Sequence, residues 1–179
     1  GCPAFYSVKE MLKNGVAIRG GYAGYGASDP DVRDIAAYPT ILSGDIGAAG
    51  TSNDNSYHVV VSLVNDSTAV LDGCTISRGN ANGSGTLESS GGGMQNRSSS
   101  PTVVNCTFTE NFAGGNYGYG GGMYNGNPSS LTLNNCTFNG NTAIFGGGMY
   151  SGSSALLLLT NCSFSGNSAP SNLLPSQPR

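Results

Sequence analysis

The sequence predicts an all-β solenoid in which a short stretch of chain is repeated as stacked coils. A cysteine motif of the type Asn-Cys-Thr-Phe alternates with Gly-Gly-Gly-Met. The cysteines are Cys74, Cys106, Cys136 and Cys162, and the methionines are Met94, Met123 and Met149. From methionine to the next cysteine the spacing is nearly constant (106−94 = 12, 136−123 = 13, 162−149 = 13), but from cysteine to methionine it shortens (20, 17, 13). Insertions confined to one connection are typical of solenoids.

The apolar residues within one repeat predict three short strands. Leu131 and Leu133 alternate with polar residues, as do Cys136 and Phe138, but the inward phase shifts by one residue at Asn134-Asn135. A straight strand would turn its apolar side outward after such a shift, so we expect a bend there. Coils stacked about 4.8 Å apart then form a parallel β-helix of roughly six coils, three strands per coil.

Stacked coils place equivalent residues above one another, so the sequence predicts ladders with a role in folding. The expected ladders are Cys74, Cys106, Cys136 and Cys162; Ile76, Phe108, Phe138 and Phe164; Met94, Met123 and Met149; and Asn105, Asn135 and Asn161. In-register Cβ vectors are parallel, so we expect free thiols in the cysteine ladder. Cys2 lies outside the ladder and its state stays open.

The regularity of the repeat divides the chain into three parts. Residues 1–66 are expected to form irregular coils or an N-terminal cap, residues 67–169 the regular repeats, and residues 170–179 a tail whose prolines leave the repeat. Because the ends of a solenoid expose unpaired strands, end-to-end association is expected at an open end.

The repeats resemble a known family. Three FxxN segments, at 108–111, 138–141 and 164–167, and three Gly-Gly-Gly-Met segments, at 91–94, 120–123 and 146–149, are similar to the FxxN and GGA-type elements of chlamydial polymorphic outer membrane protein repeats. The resemblance implies a right-handed parallel β-helix of the pectate-lyase-like superfamily, secreted or on the cell surface of bacteria. That superfamily includes adhesins and polysaccharide-active enzymes, so the fold alone does not choose a function.

Charge limits the functions that the chain can have. A net charge of −3 gives no electrostatic footprint for nucleic acid, and no apolar run is long enough for a transmembrane helix. With one histidine and no CxxC motif, zinc is not expected. No Asp, Glu, Lys, Arg or His occurs from residue 111 to 178. Lyases and glycosidases need charged acid–base groups, so a catalytic site would lie in residues 1–110.

Candidate site residues are few. If the chain is an enzyme, the candidates are Asp45, Asp54, Asp72 and Arg78. Asp45 and Asp54 could also hold Ca²⁺, although a polar loop explains their stretch as well. Otherwise no cofactor is expected.

Five tyrosines occupy glycine-rich stretches and could contact a ligand: Tyr22, Tyr25, Tyr117, Tyr119 and Tyr124. Exposed aromatic side chains are typical of carbohydrate and protein contact surfaces, though they also cover loop backbone. We therefore expect a non-catalytic extracellular module for surface display or adhesion, contacting a polysaccharide or a surface protein. The alternatives are a lyase or glycoside hydrolase and, with less support, an ice-binding solenoid.

Overall fold

The computed structural model describes residues 9–170, which form a parallel β-helix. The first coil contains β1 (Glu10–Met11), β2 (Ala17–Arg19) and β3 (Thr40–Ser43), and a 3-10 turn at Ser52–Asp54 follows it. The second contains β4 (Val60–Leu63), β5 (Val70–Asp72), β6 (Cys74–Ser77) and β7 (Asn80–Ala81). The third contains β8 (Met94–Arg97), β9 (Thr102–Val104), β10 (Thr107–Thr109) and β11 (Phe112–Ala113). The fourth contains β12 (Met123–Asn125), β13 (Ser130–Asn134), β14 (Thr137–Asn139) and β15 (Thr142–Ala143), and the fifth β16 (Met149–Ser151), β17 (Leu156–Thr160) and β18 (Ser163–Ser165).

Equivalent strands pair in parallel to form four faces along the solenoid. Face A has the order β1-β4-β8-β12-β16, face B β2-β5-β9-β13-β17, and face C β3-β6-β10-β14-β18. Face D is narrow and contains β7-β11-β15. Every strand pair in these sheets is parallel and in register, so each coil repeats the course of the one before it.

The class is confirmed, but two details of the prediction are wrong. Residues 9–170 form five coils, somewhat more than four full turns, instead of roughly six. Long connections at 20–39 and 44–59 take up much of the irregular N-terminal part, which therefore contributes a single coil. The middle coils also contain a fourth strand, on face D. At two residues, such a strand is too short to show an alternation of apolar and polar residues.

The predicted apolar ladders form the core. Phe108 stacks on Phe138 with ring centroids 4.7 Å apart and planes 4° apart, and Phe138 stacks on Phe164 in the same way. Ile76 pairs with Phe108 in the register of face C, and the three ladder methionines pair on face A. The cysteines Cys74, Cys106, Cys136 and Cys162 are free, as expected. Burial raises the pKa of Cys136 to about 11, so it stays a thiol.

The asparagine ladder at the corner between faces B and C is also confirmed. Asn135 donates Nδ2–H to Asn105 Oδ1 at 3.1 Å, and Asn161 donates to Asn135 Oδ1 at 3.2 Å. All three have a left-handed backbone, with φ between +51° and +53°. Asparagine adopts this conformation more readily than most residues, which explains why the bend occurs at this residue in each repeat.

The glycines before each methionine have two backbone roles. Gly120 has φ +65°, a conformation that suits glycine, and Gly121 approaches the neighbouring coil so closely that a Cβ there would clash with Thr142 O. The Gly-Gly-Gly-Met motif is therefore a structural element of the coil.

Candidate functional site

A cleft of about 550 Å³ lies beside faces C and D in the described part of the chain. Its outer wall is the β3–β4 connection, which folds back over the second coil. Its lining residues are Asp45, Gly50, Ser52, Asn53, Asn55, Arg78, Gly79, Asn80, Asn82, Glu110 and Phe112. The volume lies in the range of small-molecule sites.

Side chains of the wall and of the coils hold the cleft in shape. Asn55 donates Nδ2–H to Arg78 O at 2.8 Å, and Asn80 donates Nδ2–H to Ser52 O at 2.6 Å. Backbone bonds from Ser56 N to Gly44 O and from Asn80 N to Ser56 O, both 2.8 Å, fix the same loop. The wall is therefore docked on the solenoid at several points.

Arg78 is the centre of a charged network in the cleft. Its Nη1 lies 2.8 Å from Asp45 Oδ2, and its Nε lies 3.2 Å from Glu110 Oε2. Hydrogen bonds from Gly50 N and then from Arg78 hold the pKa of Asp45 below its ordinary value. The two carboxylates also raise the pKa of Arg78, so Asp45 and Arg78 are both charged at neutral pH.

Two of the four enzyme candidates, Asp72 and Arg78, lie in different clusters. Asp72 is buried and bound by Arg33 Nη2 at 2.8 Å and by Asn105 Nδ2 at 2.9 Å, with Arg19 Nε at 3.9 Å. Burial alone would raise the pKa of Asp72, but the hydrogen bonds from Arg33 and Asn105 outweigh it and lower the pKa. The structure thus gives Asp72 the role of a buried corner anchor, and it leaves the cleft to Asp45 and Arg78.

Asp45 and Asp54 lie on the same wall loop but are engaged by protein groups. Asp45 accepts hydrogen bonds from Gly50 N and Arg78, and Asp54 Oδ2 accepts one from Ala48 N at 2.8 Å. Across residues 9–170, no group of three or more His, Cys, Asp or Glu side chains is placed to hold a metal ion. Calcium binding at this pair remains a prediction.

The second feature is an aromatic patch beside face A, formed by Tyr119, Tyr124, Phe145 and Tyr150. Tyr119 lies 4.5 Å from Tyr150 and 5.3 Å from Phe145, measured between ring centroids. Tyr124 and Tyr150 are neighbours in the ladder and stack at 6.0 Å with planes 11° apart. The three tyrosines are half-buried and Phe145 is exposed, so part of this surface faces solvent.

The other candidate tyrosines have no ring contact with the patch among the described residues. Tyr22 lies in the first coil, where the Arg33 guanidinium is 5.8 Å from its ring centroid. Tyr25 is fully exposed and Tyr117 is exposed. The structure therefore groups two of the five candidates, Tyr119 and Tyr124.

Sequence reasoning missed several residues of both regions. Tyr150 and Phe145 complete the patch, and the signal was the repeat itself, since Tyr150 follows Met149 as Tyr124 follows Met123. Glu110 and Phe112 were missed in the cleft. Glu110 lies within an FxxN element and was therefore assigned to the repeat. Phe112 carries no charge, so the charge pattern gave no signal for it.

Together, the stacked parallel faces and the in-register ladders define a β-solenoid repeat protein. The model of the right-handed β-helix region matches residues 47–174, more than half of the chain, so the chain belongs to the right-handed β-helix family. No curated protein and no solved structure matches it significantly. Between residues 9 and 170 there is no helix with the length and apolar character needed to cross a membrane.

Proposed function

We propose that the chain is a non-catalytic, extracellular β-solenoid module that contacts a polysaccharide through the aromatic patch. The observation that carries this proposal is the clustering of four aromatic side chains, half-buried or exposed, beside face A. Tyrosine combines an apolar ring with a polar hydroxyl, which suits the alternating apolar and hydroxyl-bearing surfaces of a sugar chain. Secretion or surface display follows from the same proposal.

The surroundings of the patch favour a glycan over a charged partner. No Asp, Glu, Lys, Arg or His occurs between residues 111 and 178, and the charge that acts on Tyr124 is that of Arg97 on the neighbouring strand β8, which lowers the pKa of Tyr124 less than burial raises it. Burial first, and then the neighbouring Tyr150 and Tyr119, raise the pKa of Tyr124, so it stays a neutral phenol. Recognition here would depend on ring contacts and hydroxyl hydrogen bonds, with little dependence on salt.

The alternative is an enzyme that acts on a polysaccharide in the cleft. The observation that favours it is the placement of Asp45, Arg78 and Glu110 around one concavity, within the region where catalytic groups were expected. The chemistry of Asp45 argues against it, because its pKa is lowered and its carboxylate is already bound. A general acid needs a proton at working pH, which a lowered pKa denies Asp45, and a lowered pKa also makes its carboxylate a weak general base.

A retention experiment tests the proposal. The purified chain is passed over insoluble neutral and acidic polysaccharides, while release of reducing ends and of unsaturated uronate is recorded. We expect retention on at least one polysaccharide without product. Tyr124→Gln, which copies Gln95 at the equivalent ladder position, should reduce retention at least fivefold, and Tyr150→Gln should do the same.

The matched control is Tyr38→Gln, an exposed tyrosine in the β2–β3 connection, which should be retained like the wild type. Product formation that requires Asp45 or Arg78 would establish the enzyme alternative. Retention that does not change in either patch variant would contradict the aromatic patch as the contact surface.

A further inference from the structure

Two residues that line the cleft, Arg78 and Glu110, stand at positions where the later coils have glycine. The residue after each face C strand has a left-handed backbone in four successive coils: Arg78 (φ +60°), Glu110 (+55°), Gly140 (+63°) and Gly166 (+60°). Glycine adopts this conformation without steric cost, whereas arginine and glutamate do not. The chain thus has two charged residues in a strained conformation, and both line the cleft.

Strained residues of this kind persist where a function needs their side chains. Here the strain brings Arg78 and Glu110 together with Asp45 of the wall loop, at 2.8 and 3.2 Å from the guanidinium. In the later coils the equivalent glycines form no such network. Val64 and Ser98 also have a left-handed backbone and lie outside the cleft. What distinguishes Arg78 and Glu110 is that their side chains form one network with Asp45 in the cleft.

Asn55 of the wall loop holds Arg78 in place. It is only 7% exposed, and it donates its Nδ2–H to Arg78 O at 2.8 Å. This contact fixes the backbone of Arg78, while its side chain stays partly exposed in the cleft.

The charges of the cleft decide what kind of ligand fits. Two carboxylates, Asp45 and Glu110, face one cation, and Arg78 is the only cation among the described lining residues. Its Nη1 and Nε already donate to those carboxylates. A ligand with a carboxylate would meet net negative charge, whereas hydroxyl groups could donate to the two carboxylates. Phe112, half-buried at the edge of the cleft, offers an apolar ring.

We propose that the cleft binds a neutral, hydroxyl-rich sugar unit and rejects uronate. This inference deepens the proposed function and rests on it in one respect, that the module meets a glycan. It adds a second contact region, on the other side of face D from the patch, and it names the substrate class as neutral polysaccharide.

The test uses soluble probes: cellotriose, β-1,4-mannotriose and triacetylchitotriose as neutral trisaccharides, with trigalacturonate as the acidic one. Binding to the full chain is followed by saturation-transfer and chemical-shift NMR. We expect at least one neutral trisaccharide to bind at least tenfold more tightly than trigalacturonate. Phe112→Thr, which copies Thr142 at the paired position, should weaken neutral binding at least tenfold. Glu110→Gly, which copies Gly140, should reduce the ratio of the affinity for neutral trisaccharides to the affinity for trigalacturonate.

The thermal unfolding midpoint of each variant shows whether it is folded. Thr132→Ser, an exposed change on face B, is the control variant and should bind the trisaccharides like the wild type. Preferential binding of trigalacturonate, absence of binding by all three neutral probes, or unchanged neutral binding in Phe112→Thr would each overturn the proposal. The patch is tested separately, since absence of trisaccharide binding by a chain that is still retained on polysaccharide would reject the cleft alone. Trisaccharide binding by the wild type, together with unchanged retention of both patch variants, would reject the aromatic patch alone.

Discussion

At the scale of single residues, His58 is a polar side chain that is buried in the solenoid. It is 6% exposed, and its Nδ1 lies 3.0 Å from Gly91 O. Burial first, with the nearby positive charges of Lys9 and Arg97, lowers the pKa of His58 to about 4, against contributions from Gly91 and Leu87 carbonyls that raise it. The imidazole is therefore neutral in the folded chain at neutral pH.

His58 predicts a loss of stability on acidification. Because its folded pKa is about 4 and its unfolded pKa about 6.5, the unfolded chain binds the extra proton between these values. The free energy of unfolding should fall by about 3 kcal/mol as the pH decreases from 6.5 to 4. Urea denaturation at a series of pH values measures this. The free energy of unfolding of the His58→Gln variant should hardly change between pH 6.5 and 4. The same pH dependence in both proteins would contradict the role given to His58.

The carboxylates do not obscure this window. Asp45, Asp66 and Asp72 have lowered pKa values, so the stability that they contribute is lost only below the ordinary aspartate range. The free energy of unfolding should therefore fall in two pH ranges, first through His58 and, at lower pH, through the aspartates.

At the scale of elements, polar ladders connect the coils at two depths. The outer ladder of Asn105, Asn135 and Asn161 lies at the corner of faces B and C. An inner ladder, which the sequence analysis did not identify, is formed by Asn111, Asn141 and Asn167. Asn111 and Asn141 are fully buried, and each amide of the inner ladder also bonds a backbone group of the adjacent coil.

The two ladders should differ in their contribution to stability. Asn141 Oδ1 accepts from Asn111 N and Nδ2, and Asn141 Nδ2 donates to Phe108 O and Asn167 Oδ1. Asn141→Ala leaves these buried groups unpaired and should cost about 3 kcal/mol. Asn135→Gly keeps the left-handed backbone and removes exposed bonds, so it should change stability by less than about 1 kcal/mol. Urea denaturation of both variants decides this, and equal losses would refute the distinction.

Elements that follow a period were predictable from the sequence, and those that depend on tertiary contacts were not. The ladders of cysteine, phenylalanine and methionine follow from spacing and alternation alone. The partners of Arg78 and Asp72 lie 32 or more residues away, or in the irregular first coil, where no repeat fixes the register. The cleft was therefore predicted only as far as Asp45 and Arg78, because its shape depends on how the wall loop folds back.

At the scale of the whole molecule, the last coil of residues 9–170 exposes apolar side chains. Leu157, Leu159 and Phe164 are 36%, 41% and 45% exposed, although their partners one coil earlier are fully buried. β17 is also the edge strand of face B in the described range. Exposed apolar edges favour association between strands of different molecules.

We predict end-to-end association through this edge. Sedimentation at increasing concentration of the full chain should show a dimer or longer species. Leu158→Lys, a charge on the edge strand, should reduce association at least tenfold. Thr132→Lys is the matched control, since Thr132 pairs with Leu158 one coil inside. A chain that stays monomeric at all concentrations, or two variants that behave alike, would contradict the prediction.

The variable connection between faces D and A has a practical consequence for engineering. Its length changes from coil to coil while the ladders stay in register, so the fold already accommodates extra residues at this point. Asn116 and Tyr117 are exposed at its outer turn in the third coil. A foreign peptide grafted between them would be presented beside the aromatic patch on a rigid frame, with every interior stack intact.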